Sequence, residues 1–315
     1  MAHLLETMAY VHETPWHGLG NKLAERQPIE IWQQQAGMNW EIKETPVQFA
    51  TDDAGTQPYI EQKVLYRSDT NAPLSVVSQR YKVVQPAEIL EFYRDLSEIS
   101  GFEMETAGVL KGGKTIWALA RTGQSVAVKG NDVTNGYVLL ATACDGTLAT
   151  TAQFTSIRVV CNNTLAVALS GGTGAVKVRH STAFKPEAVK AKLGVSVSSW
   201  DRFSYSMKTM AERKVKTTEA FSFFMDVFAA PPGAAPGATN ERAMNTAMAL
   251  YEGRGRGSEL GSAKGTAFGL LNSVTEYVDH ERRARSADYR LESAWFGQGA
   301  ILKQKALDAA LTLIA

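Results

Sequence analysis

The sequence predicts an α+β fold, with an N-terminal antiparallel β-sheet domain over residues 1–182 and a helical region over 183–315 packed on it. Three observations lead to this prediction. Through the first half, apolar and polar residues alternate in short runs, which is the period of a strand. From Phe184 onward, apolar residues recur every three or four positions, which is the period of a helix. Strands and helices do not alternate regularly, so a parallel βαβ sheet is not predicted.

The stretch from Leu74 to Ile99 changes from the apolar–polar alternation of a strand to the three-to-four-residue period of a helix. Apolar, aromatic and β-branched residues dominate as far as Val84, which predicts a strand. Pro86 suits the first position of a helix because its φ is fixed and it lacks an N–H donor. The apolar residues that follow share one helical face: Ile89, Phe92, Leu96 and Ile99. A helix over 86–99 is therefore expected to lie over the sheet.

Other strands are predicted from the same alternation and from turn residues between the runs. Ahead of them, Pro28 begins a short helix that ends at Gly37. The predicted strands cover 40–43, 47–49, 103–110, 115–122, 136–142, 153–160 and 175–180, and residues 60–84 form a hairpin. The Asn pair 162–163 begins either a turn or a helix over 165–169. Residues 170–174 are a loop, since no strand–GxGxxG–helix order surrounds them.

The hairpin turn Lys111-Gly112-Gly113-Lys114 places a lysine on each side of two glycines. Glycine permits the positive φ of a tight two-residue turn. A P-loop is excluded because the Gly-Lys-Ser/Thr ending and the following helix are missing. Contact with a nucleic-acid backbone remains open for this basic tip.

The second half of the chain predicts a series of amphipathic helices. They cover 184–210 as one helix or two in tandem, 217–228, 241–251, 266–285 and 300–314. The helix that restarts at Thr217 is expected to bury Phe221, Phe224, Met225 and Phe228. Residues 231–237, rich in proline and glycine, are a loop, and residues 252–257 are a flexible tract.

Composition places the protein among intracellular globular proteins. A chain of 315 residues with 44% hydrophobic content can bury a substantial core. Its two cysteines, Cys144 and Cys161, are too few for a disulfide scaffold, so buried thiols in a reducing cytoplasm are expected. The start lacks the pattern of a secretory signal, and no apolar run approaches the roughly 20 residues that span a bilayer. A membrane is therefore not an expected partner.

Charge is distributed unevenly along the chain although the net charge is only +1. Residues 1–110 hold 8 Lys and Arg against 16 Asp and Glu, whereas residues 111–315 hold 25 against 16. Within the second part, residues 175–219 hold ten cations and four anions, and a second focus contains Arg282 and Arg283. This pattern suits either a polyanionic partner or head-to-tail self-association. A solvated helix face is the alternative explanation.

No motif predicts an enzyme, a metal site or a cofactor. The five histidines form no HExxH pair, and GxSxG and kinase signatures are missing. Glu276, Asp279 and His280 lie on one predicted helix, but a solvated face beside the arginines explains them more simply. Arg158, inside a β-branched strand, must face solvent, a ligand anion or a carboxylate, and a sheet-face ion pair is the commoner outcome.

Several blocks of sequence resemble a known family. They are VVSQRYKVVQPAEI at 76–89, TSIRVVCNNTL at 155–165, VRHS at 178–181 and GTAFGLLNSVTEYVDHERRAR at 265–285, with PWHGLG at 15–20. In this order they are similar to the phage/plasmid-like proteins catalogued as domain of unknown function 932. The resemblance implies a context of phages, prophages and mobile plasmids without a settled activity. More distantly, the mixture of strands and basic helices resembles the annealing recombinases of phages, which form rings and hold single-stranded DNA in a basic groove.

Two functions of different class follow as expectations. In the first, the protein is an oligomeric single-stranded-DNA-binding and annealing protein of recombination or replication, with a ring as one form of the oligomer. Its phosphate contacts would be Arg158, Lys177, Arg179, Arg282 and Arg283, with Lys111 and Lys114 guiding the strand and Tyr81 or Tyr137 stacking on bases.

In the second, the protein modulates a host or counters its defence by binding another protein through the acidic residues Glu88, Glu91 and Asp95. A hydrolase is a third interpretation, which a buried cluster of three carboxylates or histidines would support.

Overall fold

The computed structural model describes residues 5–12, 20–53, 55–160, 163–167, 175–197, 200–229 and 240–315, and within them the fold is α+β, as predicted. The strands are β1 (Leu5–Tyr10), β2 (Asn21–Lys22), β3 (Ile42–Thr51), β4 (Gly55–Arg67), β5 (Pro73–Ser78), β6 (Glu103–Leu110), β7 (Thr115–Lys129), β8 (Asp132–Ala143), β9 (Thr150–Arg158), β10 (Asn163–Ala166) and β11 (Ala175–Val178). The helices are α1 (Ile29–Gln35), α2 (Pro86–Ser100), α3 (Pro186–Val197), α4 (Trp200–Glu212), α5 (Thr217–Phe228), α6 (Glu241–Ala249), α7 (Ala267–Glu276), α8 (Ala287–Phe296) and α9 (Gln298–Thr312).

These strands form two sheets. The larger has the order β10-β9-β8-β7-β6-β1-β2, with β11 also pairing with β9, and the smaller has the order β3-β4-β5. The pairs with a defined register are antiparallel except for β1 with β2. Short connections between sequential strands account for the antiparallel arrangement.

The chain folds into two compact units that do not follow the predicted boundary at 182/183. Unit 1 consists of residues 1–123, 137–153 and 175–195. Unit 2 consists of residues 124–136, 154–174 and 196–315. The strands β7, β8 and β9 each contribute residues to both units, which periodicity along the sequence cannot reveal.

Helix α2 begins at Pro86, as predicted, and anchors the core of unit 1. The backbone N–H of Gln85 donates to the Glu88 carboxylate at 2.7 Å, which caps the helix. Ile89 and Phe92 are fully buried. The buried Tyr93 hydroxyl lies 2.8 Å from the Ala118 carbonyl oxygen and 3.0 Å from that of Val138, so α2 packs on β7 and β8.

The preceding strand is shorter than predicted. β5 ends at Ser78, and the chain then turns, with the Tyr81 N–H donating to the Ser78 carbonyl. The apolar run to Val84 misled the prediction, because Val84 is buried without being in a strand.

The hairpin β3–β4 is longer than the separate short strands that were predicted. Its register runs from Ile42 opposite Arg67 to Thr51 opposite Gly55, with a bulge after Pro46. Residues 51–53 and 55–58, next to the turn, are polar or small and mostly exposed, so they show no strand period.

The hairpin β6–β7 is confirmed, but its turn has four residues, because Leu110 pairs with Thr115. Lys111, Gly112 and Gly113 all have positive φ. Gly113 is buried, and a Cβ on it would press against the Trp40 ring. One side of the basic tip is therefore packed against the protein.

Tandem helices α3, almost wholly in unit 1, and α4, in unit 2, replace the single long helix, as one of the two alternatives predicted, and α8 in unit 2 was not predicted. The helix considered for 165–169 is wrong over its described part, because Asn163–Ala166 forms strand β10 against β9. The buried face of α5 also differs. Phe223, Phe224, Val227 and Phe228 are buried, whereas Phe221 and Met225 are 48% and 36% exposed.

Cys144 is a buried free thiol, as expected, and burial raises its pKa to about 12. Five other expectations lie wholly or mainly outside the described residues: those for Cys161, PWHGLG at 15–20, residues 168–169, the loop 170–174 and the loop 231–237. Among the helices described, none combines the length and the apolar content needed to cross a bilayer.

Candidate nucleic-acid interface

Two distant parts of the chain meet in unit 1 through a stack of Tyr81 and His180. The ring centroids are 4.4 Å apart and the planes differ by 15°. The His180 carbonyl accepts from the Lys82 backbone N–H, and the two ring nitrogens of His180 lie 3.1 Å from the Lys82 carbonyl and 3.0 Å from the Leu148 carbonyl. These contacts join the blocks SQRYKVV and VRHS at one place on the surface.

Four exposed cations lie within three residues of the stacked rings along the chain. Arg80 and Lys82 flank Tyr81, and Arg179 precedes His180, while Lys177 lies two residues earlier on the exposed face of β11. Among the described residues, no carboxylate pairs with any of these four side chains. We call Arg80, Lys82, Lys177 and Arg179, with Tyr81 and His180, the cationic site.

The lysine tip of β6–β7 connects to the same region through the backbone. The Tyr81 hydroxyl donates to the Ala143 carbonyl at 2.8 Å, and the next residue, Cys144, donates its N–H to the Lys114 carbonyl at 2.9 Å. Burial, and then the nearby Cys144 and Asp145, raise the pKa of Tyr81 well above its usual value. The phenol thus stays protonated and holds this bond.

Five other cations of unit 1 are neutralised by carboxylates, unlike the four of the cationic site. Ion pairs of 2.7 to 3.5 Å join Arg26 to Glu103, Lys63 to Glu44, Arg67 to Asp69, Arg94 to Glu30 and Glu91, and Arg121 to Glu105. A cation that holds a carboxylate must give it up before it can hold a phosphate, so unpaired cations bind a polyanion more readily.

Arg158 does not belong to the interface that was predicted for it. It is only 3% exposed, and its guanidinium bonds Asp132 through Nε at 2.8 Å and Nη2 at 2.6 Å. Nη2 also donates to the Gly257 carbonyl at 3.2 Å. The guanidinium is thus withdrawn from any phosphate on the surface, and the sheet ion pair, the commoner alternative, is confirmed.

Arg282 and Arg283 lie in unit 2 after a π-helical turn over Tyr277–Glu281. Arg283 is exposed, and Arg282 is half-buried with Nη1 donating to the Ser293 hydroxyl at 3.2 Å. Of this pair, Arg283 is therefore the more accessible to a ligand.

The solvated face predicted for Glu276 and Asp279 is wrong. Glu276 is 4% exposed, and its carboxylate accepts from the Arg256 backbone N–H at 3.0 Å. Asp279 accepts from buried Lys303 at 2.9 Å and from the Thr164 N–H at 2.7 Å. Burial lowers the pKa of Lys303 despite this partner. No periodicity signalled these contacts, because the partners are far away in sequence.

Burial limits the predicted base stacking by Tyr137, and existing bonds limit the predicted protein contacts of the acids on α2. Tyr137 is 4% exposed, so it offers no free ring face to a base. On α2, Glu88 caps the helix and Glu91 bonds Arg94 at 2.7 Å, so two acids of the alternative protein-binding surface have structural partners. The side chain of the third, Asp95, lies outside the described set.

A hydrolase would need a cluster of catalytic or metal-binding side chains. Within the part of the chain that the structure describes, no group of three or more His, Cys, Asp or Glu is arranged to hold a metal ion. Sequence reasoning missed Arg80, Lys82 and His180 as site residues. The alternation Arg-Tyr-Lys around Tyr81 was the available signal, since it places two cations beside an aromatic ring.

Comparisons with known proteins give one positive result. Neither the curated proteins nor the solved structures contain a match to this chain. The family model described as domain of unknown function DUF932 matches residues 73–295, which include every residue of the cationic site. The match spans well over half of the sequence, and the chain therefore belongs to the DUF932 family.

Proposed function

We propose that this protein binds single-stranded DNA and promotes annealing of complementary strands, as an oligomer encoded by a phage or other mobile element. The observation that carries the proposal is the cationic site, where four exposed cations with no carboxylate partner among the described residues lie next to two stacked rings along the chain. The proposed role is binding without catalysis.

Phosphate contacts explain how such a site holds nucleic acid without reading its sequence. Lys and Arg side chains on a surface neutralise phosphates and release counterions, which supplies most of the affinity of non-specific binding. Lys177 and Arg179 are proposed as the primary contacts, with Arg80 and Lys82 beside them. Lys111 and Lys114 guide the strand, and Arg282 and Arg283 contribute in unit 2.

The preference for a single strand rests on the ring pair. Tyr81 and His180 are both part-exposed, and unstacked bases of a single strand pack on aromatic rings in a sequence-tolerant way. The more distant resemblance to annealing recombinases points to the same ligand. In a duplex the bases are stacked on one another and do not reach such a ring.

Fluorescence anisotropy with a labelled oligothymidine tests the proposal at low salt. The variant Lys177→Glu/Arg179→Glu is expected to lose at least tenfold in affinity, since two phosphate contacts become repulsive. The matched control Lys43→Glu/Lys305→Glu makes the same change in net charge at exposed positions outside the site and should bind as the wild type. Equal binding by both variants, or no binding by the wild type, would rule the proposal out.

Two further measurements test the ligand and the reaction. A duplex of the same length should bind more weakly than the single strand. Complementary oligonucleotides carrying a fluorophore and a quencher should anneal faster with the protein than without it, and the Lys177→Glu/Arg179→Glu variant should lose that acceleration.

Protein binding is the competing function, and the same variants separate it from DNA binding. Glu88 already bonds the N-cap residue of α2 and Glu91 bonds Arg94 within it, which favours the nucleic-acid proposal. If charge reversal at Lys177 and Arg179 changed nothing while reversal at Glu88 and Glu91 abolished capture of a host protein, the second function would replace the first.

A further inference from the structure

The hairpin β3–β4 extends beyond the rest of its sheet. β5 pairs only with residues 62–66 of β4, so residues 47–51 and 55–59 form a ribbon of two strands. We call residues 44–62 the hairpin arm. At about 3.3 Å per residue, the five residues of each ribbon strand reach roughly 17 Å beyond β5.

One face of the hairpin arm is apolar and exposed. Val47 and Tyr59 are directly opposite each other, and Phe49 lies two residues further along on the same face. Phe49 is 48% exposed, Tyr59 39% and the bulge residue Ile60 77%. A two-stranded ribbon is only marginally stable alone in water, so covering this face with a partner would stabilise it.

The charge of the arm indicates the chemistry of that partner. Residues 44–62 contain four acids and no Lys or Arg. Glu44 pairs with Lys63 at the base, whereas Asp52 and Asp53 are exposed next to the turn. Residues 111–315 of the same chain carry an excess of nine positive charges, so a second copy offers the complementary surface.

Helix α4 presents a face that matches the arm in both respects. Tyr205 is 72% exposed, and Arg202 and Lys208 are exposed one turn before and after it. Residues three apart on a helix are neighbours on its surface. An aromatic ring between two cations is complementary to a ribbon that is apolar along one face and acidic at its end.

We infer that the hairpin arm of one copy docks on the α4 face of a second copy. The two surfaces differ, so the contact is heterologous, and repetition of it produces a closed ring or an open filament. This inference rests on the oligomeric part of the proposed function and is independent of its DNA part.

Sedimentation velocity over a range of protein concentrations tests the inference. The wild type should increase in mass with concentration. Phe49→Ser and Asp52→Lys/Asp53→Lys should each abolish that increase, and Arg202→Glu/Lys208→Glu should do the same from the other side of the contact. Ile301→Ser, at an exposed apolar residue of α9, and Asp226→Lys/Glu241→Lys, at exposed acids off α4, should associate as the wild type.

Mixing an arm variant with an α4 variant is the most specific test of the proposed contact. Asp52→Lys/Asp53→Lys keeps an intact α4 and Arg202→Glu/Lys208→Glu keeps an intact arm, so an equal mixture should associate although neither variant does alone. A monomeric wild type, undiminished association of the arm variants, or failure of the mixture would each overturn the inference. Thermal unfolding verifies that every variant is folded.

Oligonucleotide binding by Phe49→Ser separates the two proposals, because its cationic site is unchanged.

Discussion

At the scale of single residues, burial separates the cations that are bonded inside the fold from those that are accessible at the surface. Arg158 and Lys177 look alike in the sequence, since both are basic residues in strand-like runs. One is bonded to buried Asp132 and the other is exposed without a carboxylate partner among the described residues. The guanidinium of Arg158 matches a carboxylate in two parallel bonds, which makes it suited to a buried pair.

Removal of the partner of Arg158 should therefore destabilise the fold strongly. Asp132→Asn is expected to lower the free energy of unfolding by about 3 kcal/mol or more, because a buried guanidinium loses its counter-charge. Urea unfolding followed by circular dichroism measures this loss. Asp308→Asn, at an exposed position on α9, serves as the control and should change stability by less than about 0.5 kcal/mol. An equally small effect of Asp132→Asn would mean that the pair does not hold the fold.

Glu276 should make stability depend on pH. Burial, with repulsion from Glu281, raises its pKa above the usual 4.5, although the Arg256 amide and the charges of Arg256 and Arg158 oppose the shift. The folded state then keeps its proton where the unfolded state has lost it, so stability falls as pH rises from about 4.5 to the folded-state pKa.

The comparison of Glu276→Gln with the wild type measures this dependence. Relative to the wild type, the variant should gain stability as pH rises through that interval, by at most about 1.4 kcal/mol per pH unit. Glu252→Gln, at an exposed residue, should show no such gain. A difference between Glu276→Gln and the wild type that stays constant with pH would contradict the assignment.

The residues that sequence reasoning placed wrongly share one property. Glu276, Asp279 and Arg158 find partners 20 to 26 positions away in the chain. Charged residues close together on a predicted helix are normally expected to face solvent. Only the tertiary structure shows that a distant amide or lysine, instead of water, bonds these carboxylates. The alternating exposure of Val176 and Lys177, by contrast, depends on local geometry and was predicted correctly.

At the scale of elements, a pattern predicts a helix more securely than it predicts the face that the helix buries. In α5 the sequence FSFFMDVF is apolar at nearly every position, so two faces fit the helical period equally well. Packing against α6 and α9 selects Phe223 and Phe224 over Phe221. The start of α2 was predictable for the opposite reason, because Pro86 determines it through its own geometry.

The start of α7 depends on close packing that only glycine permits. A Cβ at Gly269 would overlap the carbonyl oxygen of Ala263, whereas one at Gly261 would meet no atom. Gly269→Ala should therefore lower the free energy of unfolding by about 1–3 kcal/mol through overpacking, and Gly261→Ala should leave it nearly unchanged. Differential scanning calorimetry of the two variants compares them directly. A Gly269→Ala variant as stable as Gly261→Ala would show that the backbone relaxes at little cost.

At the scale of the whole molecule, a net charge of +1 cannot by itself attract a polyanion. Attraction must come from local groups whose charge is not cancelled nearby, because at physiological salt the Debye length is only about 8 Å. The cationic site is such a group, whereas the hairpin arm carries the opposite sign within the same unit. If both proposals hold, these separate surfaces of opposite sign would let one chain bind DNA and another copy of itself at once.

If the cations of the cationic site supply the affinity for DNA, the dependence of binding on salt concentration should reveal them. For a single strand, the slope of log affinity against log salt is about −0.7 for each phosphate neutralised. Lys177→Ala/Arg179→Ala removes two contacts, so its slope should be smaller than that of the wild type by about 1.4. Lys43→Ala/Lys305→Ala should leave the slope unchanged, since both lysines lie outside the cationic site. Anisotropy titrations at four or more salt concentrations measure each slope. Equal slopes for wild type and Lys177→Ala/Arg179→Ala would place the phosphate contacts elsewhere, even if the affinities differed.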